Sequence, residues 1–190
     1  MRVAGVILAA GESRRMGRPK AHLPFRGGTF LSVLAETLGG FCDPVIAVFG
    51  TPQPAPDGVI AVVNAQYHLG MLTSLHAGLR VCPDDFDALL FTLVDHPAVR
   101  PATVALLLTE MGTARVVIPR FQGKRGHPVL MRRSIATEYL AEPVTAKVRD
   151  VIDRHADSIR YVEVDDPGVC DDVDDPALYA ALLAREAAAV

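Results

Sequence analysis

The stretch Val3–Lys20 reads VAGVILAAGESRRMGRPK, an apolar, strand-like run that breaks into a loop rich in glycine and arginine and ends in a lysine. Glycine lets a backbone adopt positive φ and approach an anion closely, while arginine and lysine supply positive charge. Open α/β sheets bind ligands at the carboxyl ends of their strands, where such a loop lies. The stretch therefore predicts a phosphate-binding loop, and the alternative at this point is a solvated basic turn after a core strand.

Spacing excludes two common phosphate-binding loops. The Walker pattern requires glycine and lysine to be adjacent, whereas Gly17 and Lys20 are separated by two residues and Ala21 follows. The dinucleotide fingerprint G-x-G-x-x-G is also absent, and the second predicted strand ends in Phe49-Gly50 rather than in an acidic ribose ligand. The chain is therefore not expected to be an NAD-dependent enzyme.

Composition indicates a folded chain of 190 residues, of which 50% are hydrophobic, with a mean hydropathy of +0.26. This length suits one domain spanning residues 1–190. A net charge of −3 argues against bulk binding of nucleic acid, and no apolar run approaches the ~20 residues that a membrane span needs. Three widely spaced cysteines indicate reduced thiols rather than a disulfide framework or a zinc site. We expect a cytoplasmic protein that binds neither nucleic acid nor membrane.

Strand-like runs alternate with helical patterns along the chain, which predicts βαβ units and a mainly parallel sheet. The predicted strands are Val3–Leu8, Val45–Phe49, Val59–Val63, Ala88–Leu93, Arg115–Pro119, Pro128–Met131 and Ile159–Val164. The predicted helices are Thr29–Leu38, Met71–Val81, Pro101–Glu110, Ile135–Leu140, Lys147–His155 and Pro176–Ala188.

Two acidic segments are candidates for the carboxylates that a phosphate-bound Mg²⁺ requires. Asp95 follows the apolar run Ala88–Val94, and an acid at the carboxyl end of a buried strand points into the ligand crevice. The second segment, residues 171–176, reads DDVDDP. From the residues alone, the alternatives are a turn acid before a proline and a solvated acidic loop in which Asp174 or Asp175 caps the last helix.

One pattern in the opening stretch has a specific resemblance. The pattern L-A-A-G-x-S-x-R-M-G-x-x-K is met in full by Leu8, Ala9, Ala10, Gly11, Ser13, Arg15, Met16, Gly17 and Lys20. It resembles the signature of the MobA-like NTP transferase family, which includes the molybdenum cofactor guanylyl- and cytidylyltransferases. The resemblance implies a single-domain, three-layer, Rossmann-like α/β nucleotidyltransferase fold with a mainly parallel mixed sheet.

The resemblance also implies roles for individual residues. In the family, the loop wraps the triphosphate of an NTP, and the expected nucleotide-binding residues are Leu8, Ala9, Ala10, Gly11, Ser13, Arg15, Gly17, Lys20, Gly70 and Ser74. Arg15, Lys20 and Asp95 are the expected catalytic residues. Mg²⁺ is expected on Asp95 together with Asp174 as first choice and Asp172 as second, because the family has D-x-D-T-P or N-x-N-T-P at this place. This chain has Asp175 where the family has threonine.

The acceptor side is implied by a later element. Gly126, His127 and Pro128 begin a G-H-P-V-L sequence that resembles an element of the cytidylyltransferase branch and is expected to bind the acceptor. Basic residues around it could form a cluster that meets a second phosphate-bearing substrate, namely Arg120, Lys124, Arg125, Arg132 and Arg133. Isolated histidines and charged hairpins are, however, usually plain surface.

The expected activity is transfer of CMP from CTP to the phosphate of molybdopterin, with release of pyrophosphate. Ala9-Ala10 favours CTP, since Gly-Gly is usual in the members that use GTP. The alternatives are a guanylyl- or sugar-phosphate nucleotidyltransferase of the same family and a noncatalytic module that binds or delivers a nucleotide. A molybdoenzyme or its chaperone is a further candidate partner.

Overall fold

The computed structural model describes residues 1–188 and contains two β-sheets with helices packed around the larger one. Its strands are β1 Val3–Ala9, β2 Pro24–Phe25, β3 Gly28–Thr29, β4 Val45–Phe49, β5 Val59–Val63, β6 Ala88–Leu93, β7 Val116–Phe121, β8 Lys124–Arg125, β9 Val129–Arg132 and β10 Ile159–Glu163. Its α-helices are α1 Phe30–Gly39, α2 Met71–Leu79, α3 Pro101–Glu110, α4 Arg133–Ala136, α5 Val148–Arg154 and α6 Pro176–Ala188. Short 3₁₀ helices lie at Lys20–His22, Tyr67–Leu69, Thr137–Ala141, Ala156–Ser158 and Pro167–Cys170.

The main sheet has the strand order β10-β7-β9-β6-β1-β4-β5, and β8 pairs with β7 outside this path. β1 lies between β4 and β6 and is parallel to both, with Gly5 opposite Val45 on one side and Leu90 on the other. β9 is antiparallel to both β6 and β7. The sheet is therefore mixed but mostly parallel, as predicted.

Two hydrophobic clusters cover the two faces of this sheet. Adjacent residues of β1 alternate between them: Ile7 packs with α1 and α3, and Val6 packs with α2. All seven residues of β1 are buried, which is typical of a central parallel strand covered by helices on both faces. The predicted three-layer α/β architecture is thus confirmed.

Local sequence explains where several helices begin. Thr29 caps α1, since its side chain accepts the N–H of Ser32 while the Ser32 side chain accepts the N–H of Thr29. Pro101 opens α3, as suits a residue without an N–H group. Asp175 precedes α6 and accepts the N–H groups of Ala177 and Leu178, each at 2.9 Å. The capping alternative for this acidic segment therefore holds for Asp175.

The structure corrects some of the predicted elements. The predicted helix at 135–140 is a four-residue α-helix, α4, that continues as a 3₁₀ helix over Thr137–Ala141. The two-residue strands β2, β3 and β8 were not predicted, because two residues are too few to show an alternating pattern. In the part of the chain that the structure describes, no helix combines the length and apolar character needed to cross a membrane.

The predicted basic cluster is divided: Arg120, Lys124 and Arg125 lie together on the paired strands β7 and β8, and Arg132 lies apart from them. β9 runs antiparallel to β6 and places Arg132 opposite Ala88, at the amino end of β6, far from Asp95 beyond its carboxyl end. There, Arg132 donates to the carbonyl oxygen of Gly112 at 2.6 Å. Arg120 and Arg125 lie elsewhere, with their guanidinium carbons 3.6 and 4.9 Å from the ring centre of Tyr161.

Candidate active site

The loop after β1 curls tightly at the carboxyl end of the central strand. The N–H groups of Met16 and Gly17 both donate to the carbonyl oxygen of Ser13 at 3.0 Å, and the Ser13 hydroxyl accepts the N–H of Lys20 at 3.2 Å. Ser13 has a φ of 51° and Gly17 a φ of 73°, so the turn uses the left-handed region twice. Met16 is buried in the core and anchors the loop.

A cavity of about 350 Å³ opens beside this loop. Its lining is formed by the end of β1, most of the loop that follows, the end of β6, part of α2 and one residue of the acidic segment. The lining residues are Leu8, Ala9, Ala10, Gly11, Glu12, Ser13, Arg14, Arg15, Pro19, Lys20, Tyr67, Met71, Ser74, Leu93, Val94, Asp95 and Asp174. The cavity thus lies at the carboxyl ends of the parallel strands, where α/β folds bind ligands.

Three carboxylates converge beside the cavity, which Asp95 and Asp174 line and Asp172 does not. Asp95, Asp172 and Asp174 each offer an oxygen, and these oxygens all lie within 4.8 Å of one another. The N–H of Val173 donates to the carbonyl oxygen of Asp95 at 3.0 Å, which joins the two acidic segments across the fold. Asp95 Oδ1 is buried and has no hydrogen-bond partner within residues 1–188. Oxygen donors at this spacing, one of them unpaired, fit a hard divalent cation such as Mg²⁺.

Lys20 connects the loop to these carboxylates. Its ammonium nitrogen lies 3.1 Å from Asp95 Oδ2 and forms a short hydrogen bond to Asp174 Oδ1. Burial opposes the charge of Lys20, but the hydrogen bond that Lys20 donates to Asp174 and the negative charge of Asp95 outweigh it, so the pKa of Lys20 is raised. The same hydrogen bond lowers the pKa of Asp174, whereas burial and the neighbouring charges of Asp95 and Asp174 raise the pKa of Asp172. The cluster therefore holds excess negative charge.

The arginines of the loop differ in their placement. The Arg15 guanidinium pairs with Asp174, so Arg15 and Lys20 both reach the acidic cluster. Arg14 lines the cavity and pairs with Glu12. Arg18 points elsewhere, with its guanidinium carbon 6.0 Å from the ring centre of Tyr179. Gly17 adopts the positive φ that the turn requires and lies outside the cavity lining.

Other lining residues come from the region between β5 and α2. Ser74 lines the first cavity, as expected of a nucleotide-binding residue, but Gly70 lines a second cavity instead. Two residues here were not predicted. Tyr67 lines the first cavity, and the buried Asn64 donates hydrogen bonds from its amide nitrogen to Ser74 and Thr73. The signal for Asn64 was its position, since it is a polar residue directly after strand β5.

The second cavity has a volume of about 490 Å³ and shares Met71 with the first. Its walls are largely apolar, and three cationic side chains, Arg125, Lys147 and Arg149, contribute to its lining. Gly126 and His127 also line it. A side chain at position 126 would place its Cβ 2.3 Å from the carbonyl oxygen of Val169, so close backbone packing by itself explains this glycine.

His127 packs inward rather than standing free in this cavity. Its ring centre lies 4.9 Å from that of His96 and 5.6 Å from that of Phe91. Burial lowers the pKa of His127 to about 3 and that of His96 to about 4, so both rings are neutral near pH 7. Pro128 follows a cis peptide bond and lies outside the cavity lining. Of the predicted acceptor residues, two reach the second cavity and Pro128 does not.

A glycine- and arginine-rich loop and a carboxylate cluster meet at the carboxyl edge of a mostly parallel sheet in an α/β protein, an arrangement whose donors and charges fit a polyphosphate together with a divalent cation. Comparison with known families agrees. The model of the MobA-like NTP transferase domain matches residues 5–159, and the chain belongs to this family of nucleotidyltransferases.

Relatives of this chain are named for different functions. The chain is 35% identical over 144 residues to the nicotine blue oxidoreductase of Paenarthrobacter nicotinovorans, covering 68% of this chain and 70% of the relative. It is 31% identical over 157 residues to a probable molybdenum cofactor guanylyltransferase of Mycobacterium avium (strain 104), covering 80% of this chain and 79% of the relative.

A solved structure matches almost the whole chain. Rv0371c from Mycobacterium tuberculosis H37Rv superposes with a TM-score of 0.81 at 27% identity, covering 96% of this chain and 98% of that chain. The structure of its complex with manganese gives a TM-score of 0.74 at 25% identity, with the same shares covered. The fold of this chain is therefore shared with Rv0371c over nearly the whole length of both chains.

Proposed function

We propose that the protein transfers a nucleotidyl group from an NTP to the phosphate of a molybdopterin-type acceptor and releases pyrophosphate. The observation that carries this proposal is the shared cavity, in which the loop 10–20 meets the carboxylates of Asp95 and Asp174, with the carboxylate of Asp172 within 4.8 Å of both. A triphosphate needs positive charge and backbone N–H groups close to its oxygens, and the three carboxylates need a cation to balance their charge. One cavity meets both requirements for an NTP and its metal ion.

Asp95, Asp174 and Asp172 are the residues that would hold Mg²⁺. When bound, the ion would stabilise negative charge on the phosphates and orient them. Support comes from the buried Oδ1 of Asp95, which has no hydrogen-bond partner within residues 1–188, and from the spacing of the three carboxylates, whose oxygens lie within 4.8 Å of one another. The manganese complex of Rv0371c agrees with use of a divalent cation at this fold.

The chemistry requires no nucleophile from the protein. An oxygen of the acceptor phosphate attacks the α-phosphorus of the NTP, a new P–O bond forms, and the bond to the bridging oxygen of pyrophosphate breaks. The acceptor oxygen is already anionic at neutral pH, so positioning and charge neutralisation are what the site must provide. Arg15 and Lys20 are the side chains placed to neutralise the triphosphate once its phosphates compete for them with Asp174.

The acceptor would enter through the second cavity, which adjoins the first at Met71. Its three cationic side chains, Arg125, Lys147 and Arg149, outnumber its one acid, Asp153, which lies 3.7 Å from Arg125, so the lining suits an anionic group. Its apolar wall suits the flat body of a heterocycle. The neutral His127 forms part of that wall and is not placed as a cation for the acceptor phosphate.

For the base we propose cytosine. Ala9 and Ala10 both line the first cavity, and their methyl groups leave less room than the Gly-Gly of GTP-using relatives, which favours the smaller base. The second candidate is GTP, since the Mycobacterium avium relative is named a probable guanylyltransferase.

The test is pyrophosphate release with Mg²⁺, molybdopterin and each of the four NTPs in turn. CTP should support turnover best. Activity with GTP alone would show that the protein uses GTP and would contradict the proposal of cytosine as the base. Arg15→Ala should reduce turnover by about 100-fold, as expected for a group that neutralises transition-state charge. Arg18→Ala is the matched control, because this neighbouring arginine lies outside the cavity lining. NTP binding without pyrophosphate from any NTP would instead indicate a noncatalytic binding module.

A further inference from the structure

Asn64 lies directly after β5 and is buried, with every polar group of its side chain in a hydrogen bond. Its Oδ1 accepts the backbone N–H of Gln66 at 3.0 Å. Because a backbone N–H can only donate, this bond determines which end of the amide is oxygen. The Nδ2 end must therefore face the hydroxyls of Thr73 and Ser74, at 2.8 and 3.0 Å.

The two hydroxyls that accept from Asn64 differ in what they can still donate. Thr73 Oγ1 lies 2.8 Å from the carbonyl oxygen of Gly70 and 3.0 Å from that of Gln66, so its proton has acceptors. Ser74 Oγ receives its bond from Asn64, and among residues 1–188 no acceptor takes the Ser74 proton. Ser74 also lines the first cavity, whereas Thr73 does not. Asn64 thus leaves Ser74 with one proton available to a ligand.

The neighbours of Ser74 in the cavity indicate which part of a ligand would take this proton. All charged lining residues belong to the phosphate loop or to the carboxylate cluster. The rest of the lining near α2 is neutral and includes Tyr67 and Met71. A nucleobase has flat apolar faces and carbonyl or ring-nitrogen acceptors at its edge, which suits apolar walls with one well-placed donor.

We propose that Asn64 is a positioning residue that orients Ser74 as a hydrogen-bond donor to an acceptor atom of the nucleotide base. The inference rests on the proposed NTP site, in which Ser74 is already an expected nucleotide-binding residue, and it adds Asn64 as the residue that sets the direction of the Ser74 hydroxyl. Asn64 would act only through Ser74, since both of its own amide protons are already donated to hydroxyls.

The experiment measures calorimetric affinities of the wild type and two variants for CTP, GTP and inorganic tripolyphosphate, with Mg²⁺ present. Ser74→Ala removes the hydroxyl. Asn64→Asp keeps the size of the side chain but replaces the donor by a carboxylate, so the Ser74 proton turns toward position 64. Both variants should bind the preferred nucleotide about tenfold more weakly, as expected for one lost hydrogen bond, and tripolyphosphate as the wild type does. Thermal unfolding verifies that each variant is folded.

The result that would overturn the inference is unchanged nucleotide affinity in folded Ser74→Ala, or an equal loss for nucleotide and tripolyphosphate, which would indicate a purely structural role. If Asn64→Asp fails to fold, Ser74→Ala by itself still tests whether the Ser74 hydroxyl donates a hydrogen bond to the base. Failure of the wild type to bind either ligand would instead overturn the proposed NTP site, and the inference with it. The base-free probe therefore separates the two failures.

Discussion

Replacing Lys20 by methionine removes a cation from the centre of the carboxylate cluster while keeping a side chain of similar length. The ammonium nitrogen lies 3.1 Å from Asp95 Oδ2 and also bonds Asp174, and the three side chains are 10%, 17% and 26% exposed. Loss of one partner from a buried ion pair costs about 3–5 kcal/mol, and partial exposure to solvent reduces this to about 2 kcal/mol here. We therefore expect the metal-free variant to be less stable than the wild type by about that amount.

The same variant should respond more strongly to a divalent cation. Lys20 competes with a metal ion for the oxygens of Asp95 and Asp174, so its removal should let Mg²⁺ stabilise the variant more than the wild type. Turnover should nevertheless fall by at least about 100-fold, because the loop loses the ammonium that would neutralise the triphosphate.

Urea denaturation with and without Mg²⁺ measures both stabilities, and pyrophosphate release measures turnover. Lys124→Met is the control, since this lysine is exposed on β8 and should change stability by less than about 0.5 kcal/mol. A Lys20→Met protein that equals the wild type without Mg²⁺ and gains no more from its addition would refute the competition argument. Near-normal turnover would refute the role of Lys20 in the reaction.

Three further predictions concern the fold around the site. Gly78→Ala should destabilise the protein by about 1 kcal/mol, as measured by urea denaturation. The new Cβ would lie 2.9 Å from Val6 Cγ1, and the cost of this overpacking exceeds the gain in helix propensity. An increase in stability would contradict the tight packing of α2 on the sheet. In the folded protein the pKa of His96 is about 4 and that of His127 about 3, both below the ordinary value of 6.5. Below about pH 6.5 the unfolded chain therefore binds more protons than the folded protein, so the free energy of unfolding should decrease as the pH falls. Unfolding curves across this range should show the loss, and His127→Gln should flatten it; a slope that the variant leaves unchanged would count against His127. Asp175→Ala should cost about 1 kcal/mol by removing the cap of α6, and an unchanged melting temperature would show that water replaces the cap.

Much of the fold was predictable because the relevant signals are local. The runs at 3–8, 45–49 and 88–93 are continuous and apolar, and they became the adjacent central strands β1, β4 and β6. The helix predicted at 135–140 is present, but it is divided between α4 and a 3₁₀ helix, because a short apolar segment does not distinguish the two helix types.

Parts of the candidate site were predictable for the same reason. The spacing of glycine, arginine and lysine in the loop predicted a phosphate site, and the position of Asp95 after a buried run predicted an acid at the sheet edge. Asn64 escaped prediction because its contacts are with Thr73 and Ser74 on the next helix, and a single polar residue after a strand does not reveal them.

The sequence by itself determined the strand-and-helix order, the position of the glycine- and arginine-rich loop and the family resemblance, since each depends on residues close together along the chain. Only the tertiary structure decided which distant groups meet. Lys20 reaches Asp174 across 154 positions because both follow elements that end at the same edge of the sheet. Arg132 lies at the opposite edge because β9 runs antiparallel to β6, so it is separated from Arg120 and Arg125 of the predicted basic cluster. Strand direction and order depend on packing of the whole sheet, which no local pattern encodes.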